Sequence, residues 1–407
     1  MLSRRGFLAA ASLAPALMLP RRAQGSPEKG RQRAAGRHDP RSRADVETPA
    51  LLLDLDAFEW NVAKMTGHLK TRGKGFRPHG KTHKCPEIAR ALTRAGAIGH
   101  CAAKLSEAEL FAAHGIKGLL VTTQVVGRRK LERAAALAAR YPDTIFVADD
   151  ERAVRDLDAA AAAVKGKRPV VVNVAVDILY GRTGIAAGEP ALALAKTIGS
   201  LKHLRLAGLQ AYDGGASHTV GFDARRTRSR ESVALAVETR QAMERAGLSC
   251  PLLSCGSTGT YNVDSDLDGV TELQPGSFMF MDTDYNRIGG PDGAVYQDFK
   301  NALTVVTTVV SRRADTAIVD GGYKAFSTDR PFTPVAKGLE RVPYAWAGDE
   351  HGRLDLKQAQ VDVKLGDRLE FIVPHCDPSV NLYDRIHWLR GDRVEAIWPI
   401  AARGLSQ

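Results

Sequence analysis

The sequence predicts an α/β fold: a (β/α)8 TIM-type barrel followed by a mostly β second domain. Three observations predict it. Eight short apolar or β-branched runs recur between residues 75 and 280, separated by stretches with helical spacing. Unusual polar residues gather where those runs end, which is where parallel barrels carry their chemistry. After about Tyr285 the helical spacing fades and strand-like runs with turn residues take over.

The chain opens on Ser3-Arg4-Arg5-Gly6-Phe7-Leu8 and an Ala- and Leu-rich run ending at Leu19. Paired arginines ahead of an apolar run well under ~20 residues read as a twin-arginine export signal over residues 1–25, because a membrane span needs a longer run. The expectation is a periplasmic protein with no stable membrane association after signal cleavage. Residues 26–47 read as a flexible linker. Ala50–Asp56 is an apolar run left over from the barrel count, so segment 48–56 is assigned as a leading strand that joins the second domain. That domain is then stitched from both ends of the mature chain.

Within the barrel, 57–290, the strand candidates are Gly75–Lys81, Ala97–Ala103, Gly118–Gln124, Thr144–Asp150, Pro169–Asp177, Leu204–Tyr212, Leu252–Ser257 and Val270–Phe280. Helical spacing fills Pro86–Ala95, Ser106–His114, Arg128–Arg140 and Glu151–Val164. In the second domain, 291–407, the strand candidates are Asn301–Ser311, Thr316–Asp320, Ala359–Lys364, Arg368–Val373 and Val394–Ile400.

The formal charge of +11 invites a nucleic-acid reading. Residues 1–45 hold ten Arg and Lys against three Asp and Glu, so the leader carries +7 of that surplus and the remainder only +4. The globular part is close to balanced, and nucleic acid is not implied. Cys85, Cys101, Cys250, Cys255 and Cys376 show no framework spacing. Cys250 and Cys255 form a conceivable pair in an oxidising compartment, but mostly free, buried thiols are expected.

The most informative segment is Arg77-Pro78-His79-Gly80-Lys81-Thr82-His83-Lys84. Basic side chains so closely set predict a site or a solvated loop, not core. A lysine at a rigid strand end among fixed cations suits a Schiff base with an aldehyde cofactor, because neighbouring positive charge favours the neutral, nucleophilic amine. Other strand ends carry Asp177 with Tyr180, Gly181 and Arg182, then Tyr212 with Asp213, then Gly256-Ser257-Thr258-Gly259-Thr260, then Gln274-Pro275-Gly276-Ser277. Small residues interleaved with hydroxyls let backbone N–H groups approach an oxyanion, which makes the Gly256–Thr260 and Gly276-Ser277 segments a candidate phosphate cradle. Plain turns, rim ion pairs and core aromatics are the ordinary alternatives for each segment taken singly.

Together, the Arg77–Lys84 segment, Lys104-Leu105-Ser106-Glu107-Ala108-Glu109, Val176-Asp177 with Gly181-Arg182-Thr183-Gly184, Gln210-Ala211-Tyr212 with His218, and the Ser257–Thr260 loop resemble the D-threonine aldolase and D-serine dehydratase group. These are pyridoxal-phosphate enzymes of the alanine racemase fold (fold type III), and the resemblance runs from about Thr48 to Ile397 with motif order preserved. It implies pyridoxal 5'-phosphate as cofactor, with Lys81 rather than Lys84 as the Schiff-base lysine. It places Arg182 near the phenolic oxygen, Tyr212 in contact with the cofactor, and Ser257, Thr258, Gly259, Thr260, Gly276 and Ser277 at its phosphate. Gln274 falls where alanine racemases place an arginine near the pyridine nitrogen, leaving the protonation of that nitrogen open. A homodimer with shared sites is implied as well.

The second cluster is Pro374-His375-Cys376-Asp377-Pro378-Ser379-Val380-Asn381. In an extended segment His375 and Asp377 project to one face and Cys376 to the other. Imidazole plus carboxylate suits a divalent metal that keeps several waters, with Mn, Mg and Zn all candidates. A hydrogen-bonded His–Asp pair is the structural alternative. In the resembling group the dehydratase branch has His-x-Cys here and the aldolase branch His-x-Asp, so His375-x-Asp377 favours an aldolase and a harder ion.

The resemblance therefore implies a lyase that cleaves D-3-hydroxy-amino acids such as D-threonine to glycine and an aldehyde. The metal would lower the pKa of the β-hydroxyl, and His218 or a metal-bound hydroxide would take its proton. A D-serine or 3-hydroxyaspartate dehydratase on the same scaffold is the alternative. An amino-acid racemase, for which Tyr285 and Tyr323 are available, leaves the metal cluster without a use. A pyridoxal-phosphate carrier of the same barrel type would lack the second domain, and an exported solute-binding protein would leave the lysine cluster unexplained.

Overall fold

The structure, a computed structural model, describes residues 40–166, 168–358 and 361–407. The twin-arginine segment and the linker up to residue 39 lie outside the described residues. In chain order the first strands are β1 (Ala50–Asp54), β2 (Gly75–Phe76), β3 (His100–Ala102), β4 (Leu119–Val121), β5 (Ile145–Ala148), β6 (Val172–Asp177), β7 (Leu204–Ala211), β8 (Leu252–Cys255) and β9 (Glu272–Leu273). They are followed by β10 (Leu303–Arg313), β11 (Thr316–Val319), β12 (Val335–Ala336), β13 (Tyr344–Trp346), β14 (Gly352–Asp355), β15 (Arg368–Ile372), β16 (Arg385–Arg390) and β17 (Arg393–Pro399).

Strands β2 to β9 are parallel and pair in the order β2-β9-β8-β7-β6-β5-β4-β3. The ring closes because Ile98 N donates to Phe76 O (2.9 Å) and Cys101 N donates to Pro78 O (2.9 Å). Each predicted barrel run contains one of these strands, and each strand is shorter than its run. The polar residues that follow leave the ladder and turn over the rim, as the 3-10 turns Gly80–Thr82 and Ser277–Met279 show. Helices cover the outside. In Leu55–Thr71 the residues Phe58, Val62, Met65 and Leu69, spaced three and four apart, are buried, and Asp54 caps the helix by accepting from Ala57 N (3.0 Å). Inside the ring Cys101, Leu120 and Val147 pack with Ile145, so the barrel has a filled core.

The seam between β2 and β9 carries a buried ion pair. Arg77 Nε and Nη2 donate to Glu272 Oε1 and Oε2 at 2.7 and 2.8 Å, and Arg77 Nη1 donates to Gly118 O. Ser254 Oγ donates to Glu272 Oε1 (2.7 Å). Gly99 is obligatory beneath the guanidinium, since a Cβ there would sit 2.3 Å from Arg77 Nη1 and 2.0 Å from Gly118 O.

In the second domain β1 lies between β10 (antiparallel) and β16 (parallel), within the order β13-β14-β11-β10-β1-β16-β17, while β15 pairs β10 and β12. β10 changes register between Val309 and Ser311, which lets one strand serve both halves of the sheet. The predicted strand Ala359–Lys364 is not formed over its described part. Lys364 N instead bonds Asp367 Oδ2 (2.7 Å) in a turn that Gly366 completes with φ +89°. Strands β12, β13, β14 and β16 were not anticipated. The end of the predicted linker is docked: Arg43 N donates to Asp392 O (2.7 Å), Val394 N to Arg41 O (3.0 Å), and Val46 is buried. All five cysteines are free and buried, so Cys250 and Cys255 do not pair.

Removing one partner of the seam strands a charge in low dielectric, which typically costs about 3–5 kcal/mol. Arg77→Met is therefore expected to lower the thermal midpoint sharply, and the double variant Arg77→Met/Glu272→Met to recover much of it. A double variant no more stable than the single one would show that the pair is not what holds the seam.

Candidate active site

The Arg77–Lys84 segment, expected to be a site or solvated loop outside the core, is mostly buried, because nearly every charge in it meets a partner. Arg77 pairs with Glu272 as described, and Lys84 Nζ meets Glu107 Oε1 at 2.5 Å. His79 Nε2 bonds Thr122 Oγ1 (3.1 Å). Burial holds His79 below the ordinary histidine pKa and lowers His83 to about 3, so both rings are neutral.

Lys81 sits in the Gly80–Thr82 turn. Gly80 permits that turn, since a Cβ on it would lie 2.5 Å from Phe111 Cε2. Lys81 Nζ lies 3.1 Å from Asp377 Oδ2 of the second domain. The Asp377 charge, outweighing burial, raises the Lys81 pKa above its ordinary value. Burial opposes ionisation of Asp377, yet Lys81 and His375 hold its carboxyl well below the usual range. The expectation of a neutral amine kept so by neighbouring cations is therefore corrected. The nearest charge is a carboxylate, and it holds the free lysine as an ammonium.

Lys81 opens into a cavity lined also by Arg182, Tyr212, Ser257, Thr258, Gln274, Gly276 and Ser277. Gly259 and Thr260 complete the loop behind them. The Arg182 guanidinium stands 5.6 Å from the Tyr212 ring. Gln274 Nε2 donates to Ser254 Oγ (2.8 Å) and Gln210 Oε1 (3.3 Å). The same cavity is lined by His79, Thr82, Thr122, Gln210 and Tyr285, which sequence reasoning did not assign to it. For all of these but Tyr285, which lies on the short helix Thr283–Asn286, the available signal was position at or just past a strand's C-terminal end.

The lining fits pyridoxal 5'-phosphate. It offers an amine, a nearby guanidinium, and a hydroxyl-rich loop where the chain approaches too closely for a side chain. A Cβ on Gly276 would lie 2.5 Å from Thr82 Oγ1, a buried hydroxyl. A Cβ on Gly259 would lie 2.2 Å from Ser217 O. Behind the loop, Ser257 Oγ is 3.0 Å from Thr260 Oγ1, Thr260 Oγ1 donates to Asp264 Oδ2 (2.5 Å), and Ser229 Oγ donates to Asp264 Oδ1. Burial pushes Asp264 up to about 6 against those hydrogen bonds.

The predicted extended segment around His375 is a short helix, Cys376–Asn381. Pro378 falls in its first turn, where a missing N–H costs nothing, and Asp282 Oδ2 accepts from Cys376 N (2.8 Å). His375 precedes the helix with Nδ1 2.7 Å from Asp329 Oδ2, while Asp377 lies inside it against Lys81. Two backbone bonds lock this motif to the barrel: Thr283 N to Val373 O (3.0 Å) and Asp284 N to Pro374 O (3.1 Å). His218 lies nearby, its Nδ1 3.3 Å from Asp284 Oδ2 without hydrogen-bond geometry, and Arg330 Nη2 is 2.8 Å from the same oxygen. Burial lowers the His218 pKa, so its ring is neutral. Among the described residues no group of three or more His, Cys, Asp or Glu could hold a metal ion. His375 and Asp377 offer two donors, a set that suits an ion retaining several waters.

Residues 53–284 match the family described as alanine racemase, N-terminal domain, and residues 302–389 match the putative serine dehydratase domain. The chain is 36% identical over 365 residues to the 3-hydroxy-D-aspartate aldolase of Paracoccus denitrificans (strain Pd 1222), covering 89% of this chain and 93% of that protein. It is 34% identical over 314 residues to the D-threo-3-hydroxyaspartate dehydratase of Delftia sp. (strain HT23), covering 76% and 79%. The crystal structure of D-threonine aldolase from Filomicrobium marinum superposes with a TM-score of 0.85 at 38% identity, covering 90% of this chain and 98% of that one.

A carboxyl whose folded pKa is raised, as for Asp264, contributes stability that is full below its unfolded value near ~4 and lost as pH rises through about 6. Asp264→Asn removes that loss. The thermal midpoint of the variant relative to the natural protein should therefore climb between about pH 4 and about pH 7. A difference that stays flat across that window would mean the carboxyl is not held protonated by burial.

Proposed function

The chain belongs to the family of enzymes that joins an alanine racemase-type barrel to a serine dehydratase-type domain, whose relatives are lyases, and we propose that it is a D-3-hydroxy-amino acid aldolase. It would use pyridoxal 5'-phosphate and a divalent metal, and release glycine and an aldehyde. The observation that carries this reading is the 3.1 Å contact between Lys81 Nζ and Asp377 Oδ2. It sets the candidate cofactor amine against the carboxylate of the His375-x-Asp377 pair. Asp rather than Cys at 377 favours the aldolase over a dehydratase on the same scaffold.

When bound, the cofactor supplies an electron sink and the metal a Lewis acid for the substrate hydroxyl. Lys81 is the residue for covalent attachment. Ser257, Thr258, Gly276 and Ser277 offer donors for its phosphate, and Arg182 a cation for its phenolic oxygen. His375 and Asp377 would hold the metal, Asp329 orienting the imidazole through Nδ1. Neutral His218 is the group that would accept the β-hydroxyl proton as the Cα–Cβ bond breaks, with Asp284 placed to stabilise the imidazolium that results.

Purified protein incubated with pyridoxal 5'-phosphate and manganese should convert D-threonine to glycine and acetaldehyde, and D-3-hydroxyaspartate to glycine and glyoxylate. Ammonia and an oxo acid in their place would make it a dehydratase. Lys81→Ala should show no cofactor-sized mass increase after borohydride reduction, whereas His218→Gln should keep that adduct and lose about 10²- to 10⁴-fold in kcat. An adduct that survives Lys81→Ala would assign the wrong lysine.

A further inference from the structure

Arg225, on the long helix Phe222–Arg245, is 1% exposed. Among the described residues its side-chain hydrogen bonds all go to backbone carbonyls: Nε to Gly259 O (2.8 Å), Nη1 to Thr219 O and Ile288 O (both 2.9 Å), and Nη2 to Gly289 O (2.7 Å). Among the described residues no carboxylate forms an ion pair with it. A guanidinium out of water without an acidic partner is expensive, and such a charge persists where something else compensates it.

The place of that charge is specific. Gly259 belongs to the Ser257–Thr260 loop, and its carbonyl is drawn to Arg225. The preceding carbonyl, Thr258 O, accepts from Tyr296 Oη (2.6 Å), and the Arg225 guanidinium lies 5.7 Å from the Tyr296 ring. In a planar trans peptide the C=O and the following N–H point in opposite directions. Holding the carbonyls of Thr258 and Gly259 from behind therefore turns the N–H groups of Gly259 and Thr260 the other way. Two neighbouring amides so fixed, with a cation at their carbonyl ends, favour an anion at their N–H ends.

We infer that Arg225 is the buried counter-charge and, with Tyr296, the positioning pair for the cofactor's phosphate, acting through the peptide units at Gly259 and Thr260 without touching the anion. This rests on the reading that the cavity takes pyridoxal 5'-phosphate. It assigns a function to a side chain that lines no part of the cavity.

The test separates phosphate recognition from general packing. The full-length protein, stripped of cofactor, is titrated with pyridoxal 5'-phosphate and with pyridoxal, which lacks the phosphate, following cofactor absorbance. Hydrogen bonds to charged groups are worth about 1.5–3 kcal/mol, so Arg225→Met should weaken binding of the phosphorylated form by about 10- to 100-fold. Binding of pyridoxal should change by less than about 3-fold, and Arg225→Lys should fall between Arg225→Met and the natural protein. Tyr296→Phe removes one hydroxyl and keeps the ring, so it serves if Arg225→Met does not fold. It should show the same phosphate-selective loss on a smaller scale. Equal losses for the two cofactor forms, or none in Tyr296→Phe, would overturn the inference. Natural protein that takes up neither form would remove the cofactor reading and this inference with it.

Discussion

The join of the first and last barrel strands at the β2–β9 seam is the constraint on which the site depends. Parallel strands deliver their C-terminal residues to one rim, but only a closed ring brings the first and last strands' residues together. Arg77 makes that join, gripping Glu272 with two donors while lying across Gly99 and Gly118. From this seam the chain turns immediately into Lys81. Glu272 leads on to Gln274, Gly276 and Ser277, so both sides of the join enter the cavity within a few residues.

The electrostatics follow from the same crowding. Burying the basic groups of the Arg77–Lys84 segment is feasible because they are neutralised locally: Arg77 by Glu272, Lys84 by Glu107, Lys81 by Asp377, and the histidines by losing their protons. The second domain supplies one of those counter-charges. Its His375–Asp377 motif is fixed by backbone bonds to Thr283 and Asp284 and by Asp282 beneath Cys376. The His375–Asp377 motif and the lysine are thus held by rigid elements rather than meeting at the tips of loops.

Much of this was legible in the sequence. The barrel runs stood out because strands buried on both faces are continuously apolar, and helix Arg128–Arg140 ends where its spacing ends. Most predicted cofactor residues line one cavity because they follow strand ends. What the sequence hid was tertiary. The basic segment looked solvated because its carboxylate partners lie 23 to 296 residues away. His375–Asn381 looked extended because a single turn of helix leaves no periodicity to read. Strand β14 alternates, but over only four residues. Arg225 was invisible as a site residue because backbone carbonyls, its only acceptors among the described residues, have no sequence signature.

The placement of β1 between β10 and β16 has a further bearing on how the molecule is made. On a ribosome this apolar segment emerges before the barrel, yet its neighbours at Leu303–Val306 and His387–Leu389 are synthesised some 250 to 340 residues later. For most of translation it is an unpaired edge in search of a sheet, the kind of segment that holdase chaperones cover and that aggregates when left bare. Assembly of the second domain must therefore wait until synthesis is almost finished, whereas the barrel between its two parts can close on its own strands beforehand.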